Sequence, residues 1–185
     1  MKKEILFYFI FFTIVSGCST ISYTEPTDGK LSKVRFTTNT KNVLSVSSYS
    51  NENCENEQGL MSLRDGYLFN SSPKKLGIPL WSYHKNAAKE FFFRANKNHY
   101  FIFYGSSNEA TYRGSNVFSC AVPLAVKFSS KKDYELSYKL KGKRCMVEIS
   151  IIERRKNNYV KKKSHLFYNN WTKECQKVFD GLKFW

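Results

Sequence analysis

From residue 33 onward, short apolar or alternating runs are separated by turn signals, the pattern of an all-β sandwich or barrel. Residues 33–38 and 43–49 are predicted to be the first two strands, joined by Asn39-Thr40-Lys41-Asn42. In the second, Val43, Ser45, Ser47 and Tyr49 share one parity and Leu44 and Val46 the other, so its faces are mixed. A polar loop over 51–58 carries Cys54, and Tyr67, Leu68 and Phe69 suggest a short strand after the turn at Asp65-Gly66. Residues 71–89 contain Pro73, Gly77 and Pro79 and read as a long irregular loop plugged by Leu76, Ile78, Leu80 and Trp81. A self-packed loop is expected there ahead of a binding loop. Two aromatic strands, 90–95 and 99–104, flank Asn96-Lys97-Asn98. Phe91 to Phe93 is apolar on both faces, which predicts a central position in a sheet.

The clearest alternation runs over 117–128, where Phe118, Cys120, Val122, Leu124, Val126 and Phe128 share one face. Pro123 cannot donate to a ladder and predicts a bulge or an edge. Tyr134, Leu136, Tyr138 and Leu140 share a face in 133–140, as do Cys145, Val147, Ile149 and Ile151 in 144–152, so Cys120 and Cys145 both point inward. Near the C-terminus, Trp171, Cys175, Val178, Phe179 and Leu182 fall at helical spacing, with Asn170 as N-cap and Gly181 at the C-terminal cap. Together these elements predict a single all-β domain over 33–185, an Ig-like or transthyretin-like sandwich of seven to nine strands with a short C-terminal helix.

The N-terminus has a different character. Lys2 and Lys3 precede an eleven-residue apolar run over 5–15, the n-region and h-region of an export signal. A bilayer span needs about 20 such residues. Val15-Ser16-Gly17-Cys18 looks like a bacterial lipobox. The resemblance implies removal of residues 1–17, a diacylglycerol thioether on Cys18, and acylation, by palmitate for example, of the new N-terminus. The alternative is an ordinary secretory signal cleaved near a cysteine. Ser19 in place of an aspartate resembles the outer-membrane sorting pattern, with the domain on the periplasmic side or displayed at the surface. Residues 18–32 are polar, contain Pro26 and Asp28-Gly29, and read as a lipidated N-terminus and tether.

Export changes the reading of the cysteines. With Cys18 set aside, Cys54, Cys120, Cys145 and Cys175 remain, an even number that reads as two disulfides with three possible connectivities. The inward-facing Cys120 and Cys145, expected on neighbouring strands, form the natural pair, which leaves Cys54 for Cys175. No two of the four lie at zinc-ligand spacing, so no metal is expected. The chain carries a formal charge of +15, and its leader contributes only Lys2, Lys3 and Glu4. Such a field attracts phosphates, anionic lipids or acidic proteins. A lysine-, asparagine- and phenylalanine-rich composition also fits translation of an AT-biased genome.

Catalytic patterns are not evident. His84, His99 and His165 are scattered, and each reads as a surface or partly buried residue. Ser71-Ser72-Pro73-Lys74 and Ser129-Ser130-Lys131-Lys132 match S-x-x-K without its companion motifs. Glu52, Glu55 and Glu57 lack calcium-loop spacing, and no phosphate-binding glycine loop occurs. No cofactor is expected. What remains is basic: Lys131, Lys132, Lys139, Lys141, Lys143 and Arg144 are assigned to one end of a hairpin. Arg154, Arg155, Lys156, Lys161, Lys162 and Lys163 fall around the next turn, and since successive hairpin turns can lie at opposite ends of a sandwich, the two groups form either one patch or two. Of these, Lys139, Lys141, Lys143, Arg144, Lys161, Lys162 and Lys163 are candidates for an anionic ligand such as lipid, lipopolysaccharide or an acidic envelope protein. Nucleic acid is not expected in the inferred compartment.

Several motifs over 33–152 resemble those of a group of proteobacterial outer-membrane lipoproteins. They are Lys33-Val34-Arg35-Phe36, Gly77-Ile78-Pro79, the inward Cys120, Lys132-Asp133-Tyr134-Glu135 and Cys145-Met146-Val147. The resemblance implies a disulfide-bonded sandwich behind a lipid anchor and brings no activity with it. The expected function is therefore a non-catalytic, periplasm-facing outer-membrane lipoprotein acting as a binding or scaffold module. An adaptor or sensor for anionic envelope polymers, and an envelope enzyme, are the alternatives.

Overall fold

The computed structural model describes residues 22–40, 43–64, 75–79, 88–111, 114–141, 144–156, 158–164, 167–168 and 171–181. Ten strands and one helix are formed there: β1 Leu31–Thr38, β2 Val43–Tyr49, β3 Gln58–Arg64, β4 Ala88–Arg94, β5 Asn98–Thr111, β6 Gly114–Lys127, β7 Asp133–Lys141, β8 Arg144–Arg155, β9 Asn158–Ser164, β10 Phe167–Tyr168 and α1 Lys173–Gly181. They make two five-stranded sheets, ordered β4-β1-β7-β8-β9 and β10-β6-β5-β2-β3. β1 pairs antiparallel with β4 and parallel with β7, and every other pair is antiparallel. This is the expected all-β sandwich with its short helix. Nine strands have seven residues or more, and β10 has two.

Period-two alternation builds the core. Val34 and Phe36, Phe101 and Phe103, Leu124 and Val126, and Tyr134, Leu136 and Tyr138 all point between the sheets. Aromatic rings fill its centre, with Phe93 and Phe101 edge to face at 5.3 Å and Phe128 against Tyr134 at 4.9 Å. One position has no room for a side chain. A Cβ on Gly105 would fall within 2.6 Å of the Tyr138 ring, whose hydroxyl donates to the Cys120 carbonyl at 3.3 Å. A bulge between Val46 and Ser47 lets both Leu60 and Met61 of β3 reach the core, and it resolves the mixed pattern of β2: Leu44 and Val46 face inward. Tyr49 lies on the opposite face with Tyr100, Ile102 and Ala125 under Trp171 and Cys175.

Both disulfides form with the expected partners, but one joins different elements from those anticipated. Cys120 and Cys145 bridge β6 of one sheet to β8 of the other, so they tie facing sheets together, not neighbouring strands. Cys54 to Cys175 pins α1 to the β2–β3 loop. Thr172 caps α1, its hydroxyl accepting from the Cys175 N–H at 3.4 Å; the predicted cap, Asn170, lies outside the described residues.

Two further expectations change. β4 is an edge strand, not a central one. Its edge is covered by the segment 22–30, which was expected to be free tether. Ser22 bridges Gly59, the Tyr23 N–H donates to the Gly59 carbonyl, and the Tyr23 hydroxyl donates to the Phe92 carbonyl at 3.1 Å. The Phe92 N–H donates to Glu25 at 3.0 Å, Arg94 pairs with Asp28 at 2.5 Å, and the Tyr23 ring stacks on Phe93 at 5.1 Å. These ties close the open side between β3 and β4. Pro123 lies in β6 without a register shift. Among the described residues, the neighbour of β6 beyond β5 is β10, which pairs only at Ala125 and Val126 and leaves Pro123 on an edge. β3, β9 and β10 are strands the pattern did not predict, and the suggested strand at Tyr67–Phe69 lies outside the described residues.

Candidate functional site

The outer face of the β4-β1-β7-β8-β9 sheet carries charges in register. Arg35 of β1 lies opposite Glu90 of β4 and Glu135 of β7. All three are buried, Arg35 to 1% exposure. A guanidinium has five N–H donors, and each finds an acceptor here. Nε and Nη2 donate to Glu90 Oε1 at 3.0 and 2.9 Å, and Nη1 donates to the Pro79 carbonyl at 2.7 Å and Glu135 Oε2 at 3.4 Å. The second Nη2 hydrogen goes to the Ile78 carbonyl.

The carboxylates are satisfied in turn. Glu90 Oε2 accepts from the backbone N–H groups of Leu76 and Ile78, and Glu135 Oε1 accepts from Lys161 at 2.5 Å. Lys33 donates to the Leu76 carbonyl at 3.0 Å. The described part of the β3–β4 connection, residues 75–79, is thus gripped through its N–H groups by Glu90 and through its carbonyls by Arg35 and Lys33. Gly77 at φ +82° supplies the left-handed turn that points both sets of groups at the sheet. Asp133 lies at the margin of this network; burial raises its pKa, Glu90 adds to the rise, and Lys33 and Arg35 oppose it.

The motifs Lys33-Val34-Arg35-Phe36, Gly77-Ile78-Pro79 and Lys132-Asp133-Tyr134-Glu135 therefore meet at one place. Glu90, which completes the set, stood in no motif; its register opposite Arg35 is a tertiary fact. With its hydrogen bonds made internally, the network holds a loop on a sheet. The guanidinium and the Glu90 carboxylate are occupied with each other and with backbone.

The basic residues grouped together in the sequence are spread along β7 by the topology. Lys131 and Lys132 precede β7, whereas Lys141 and Arg144 flank its far end, about 30 Å away for nine extended residues. Lys139 pairs with Glu148 at 2.5 Å, and Lys163 approaches the same carboxylate at 3.7 Å. The Lys139 hydrogen bond holds Glu148 below the usual carboxylate range. Lys161 is committed to Glu135. Lys141, Arg144 and Lys162 are exposed, and Lys143 lies outside the described residues, as do Cys18, His84 and His165. Lys161, Lys162 and Lys163 belong to β9, an edge strand, where lysines discourage pairing by another chain.

A cleft of about 600 Å³ opens at the end of the sandwich between the 23–28 segment and the neighbouring ends of β2 and β5; Tyr23, Glu25, Tyr49, Gln58, Arg94 and His99 are among its lining. His99 packs its ring on Phe128 at 5.3 Å and directs Nε2 at the Arg94 carbonyl, 2.7 Å away. Burial lowers its pKa, so the ring is neutral near pH 7. Among the described residues, no three His, Cys, Asp or Glu side chains are grouped as a metal site needs. Neither family models, nor curated proteins, nor solved structures give a match to this chain.

Proposed function

We propose that the protein is an outer-membrane lipoprotein, anchored through Cys18 and facing the periplasm, whose sandwich is a non-catalytic binding or scaffold module for an envelope component. The observation that carries this is the pairing of Cys54 with Cys175 and of Cys120 with Cys145. Four of the five cysteines are consumed, and the fifth is the one beside the apolar leader. Disulfides of this kind persist in an exported domain, and a thioether at Cys18 uses the remaining sulfur. The resemblance of the leader to a lipobox supports the same assignment.

The internal use of charge favours a scaffold over the alternative of a receptor for anionic polymers at the β7–β8 turn and β9. Lys139, Lys161 and Lys163 are engaged by Glu148 and Glu135. Metabolic labelling with an alkynyl palmitate, followed by separation of the membranes, tests the anchor. Label is expected in the wild-type protein in the outer-membrane fraction and absent from Cys18→Ala, which should be soluble. Label retained by Cys18→Ala would refute the anchor, and turnover of an envelope substrate by the purified protein would refute the non-catalytic reading.

A further inference from the structure

The β4–β5 turn, the end of β6, the β6–β7 turn and the β8–β9 turn all lie at one end of the sandwich. They are stitched together by backbone bonds: Asn96 N–H to the Phe128 carbonyl at 2.7 Å, and Lys131 N–H to the Leu31 carbonyl at 3.4 Å. Asp133 pairs with Ile152, which brings the turn at 131–132 beside residues 154–156, where β8 ends. The cations delivered there are Lys97, Lys127, Lys131, Lys132 and the Arg-Arg-Lys run at 154–156, all exposed. Opposing acids are few: Asp28 is paired with Arg94, Glu25 accepts from the Phe92 N–H, and Glu25, Asp133 and Glu153 are half-buried. Segments remote in sequence therefore build a contiguous positive surface that no single stretch of the sequence displays.

We propose that this end of the sandwich lies against anionic phospholipid headgroups of the membrane that carries the Cys18 anchor; the inference rests on the lipoprotein reading above. Chain length supports it. Ser22 is fixed on Gly59, and four extended residues from Cys18 span at most about 14 Å. Gly59 is level with Ser47 and Ile102, and Asn98, at the positive end of β5, is about 13 Å away along the strand. Thr111, at the opposite end, is about 30 Å away, beyond the reach of the leash. The leash therefore lets the positive end come within a Debye length, about 10 Å, of the headgroups. Each basic residue at such a surface favours contact by about fivefold.

The test is site-resolved acylation of lysines in the mature protein, bearing its natural N-terminus. The protein is reconstituted in phosphatidylcholine vesicles with or without phosphatidylglycerol, and also held in uncharged detergent. Lys97, Lys127, Lys131 and Lys132 are expected to react about tenfold more slowly on the anionic vesicles than in detergent. Lys141 should be unchanged, and high salt should remove the difference. Lys127→Glu combined with Lys132→Glu should abolish the protection of Lys97 and Lys131.

Equal reactivity at both ends of a lipidated, vesicle-bound protein would overturn the orientation and leave the lipoprotein reading standing. Equal protection on phosphatidylcholine alone would also overturn it, since charge would then play no part. Protection in detergent that rises with protein concentration would assign this end to a second copy and overturn it likewise. An unlipidated Cys18, with no binding to vesicles of either kind, would defeat the lipoprotein reading and the inference together.

Discussion

Replacing Arg35 with methionine removes the centre of the network while leaving most of its volume. Glu90 and Glu135 then face each other across β1 with their shared cation gone. The carbonyls of Ile78 and Pro79 lose their donors at the same time. Breaking a buried ion pair by deleting one partner costs about 3–5 kcal/mol, a large share of the 5–15 kcal/mol that holds a typical domain together. Lys161 offers an internal control. It bonds the same Glu135, but its side chain is 37% exposed, so Lys161→Met should cost at most about 1 kcal/mol. Adding Glu90→Gln and Glu135→Gln to Arg35→Met should recover part of the loss, because the uncompensated charges disappear. Urea unfolding with both disulfides intact, followed by intrinsic fluorescence, measures all four proteins. A loss below about 1 kcal/mol for Arg35→Met, or one no larger than that of Lys161→Met, would refute the claim that this network is buried and fully paired.

Gly105→Ala should cost about 1–3 kcal/mol, because the added methyl enters space held by the Tyr138 ring; thermal unfolding checks this, and a neutral effect would place the ring elsewhere. Removing a disulfide by double Cys→Ser substitution should cost more for Cys54–Cys175 than for Cys120–Cys145. The bridged residues are 121 and 25 apart in sequence, for which the chain-entropy model gives about 5 and 3.5 kcal/mol; the reverse order in denaturant titrations would contradict it. Because burial depresses the His99 pKa, the unfolded chain binds the proton more readily. Stability should be full above the ordinary imidazole value of about 6.5 and fall as the pH drops through it. His99→Phe should flatten that part of the stability profile, and an unchanged slope would show that His99 does not set it.

Much of this architecture was legible because burial imposes period two on strands that have one buried face. The inward sets on β6, β7 and β8 could be read directly, and from them the Cys120–Cys145 pair. β4 misled for a physical reason. Its pattern is apolar on both faces, like that of a central strand, yet it lies at an edge where residues 22–30 supply the missing cover. Tyr23 and Glu25 sit in a segment without periodicity, since it makes a few specific bonds and not a continuous ladder. β9, rich in lysine, lacks the apolar content by which strands are recognised and is held by its ladder to β8. The site was half legible. Arg35, Gly77 and Glu135 stood in motifs, but their meeting with Glu90 depends on a register that links β1 to strands far away in sequence. The basic residues show the converse: proximity in sequence placed Lys132 with Lys141, and a nine-residue strand separates them.

The measurement that bears most directly on a lipid-anchored, doubly disulfide-bonded sandwich is the intact mass of the mature protein from its native membrane, taken before and after reduction with alkylation. The expected species is a chain starting at Cys18 that carries diacylglycerol and an N-terminal acyl group, with Cys54, Cys120, Cys145 and Cys175 alkylated only after reduction. A chain with Cys18 unmodified, or with free thiols among the other four before reduction, would contradict it.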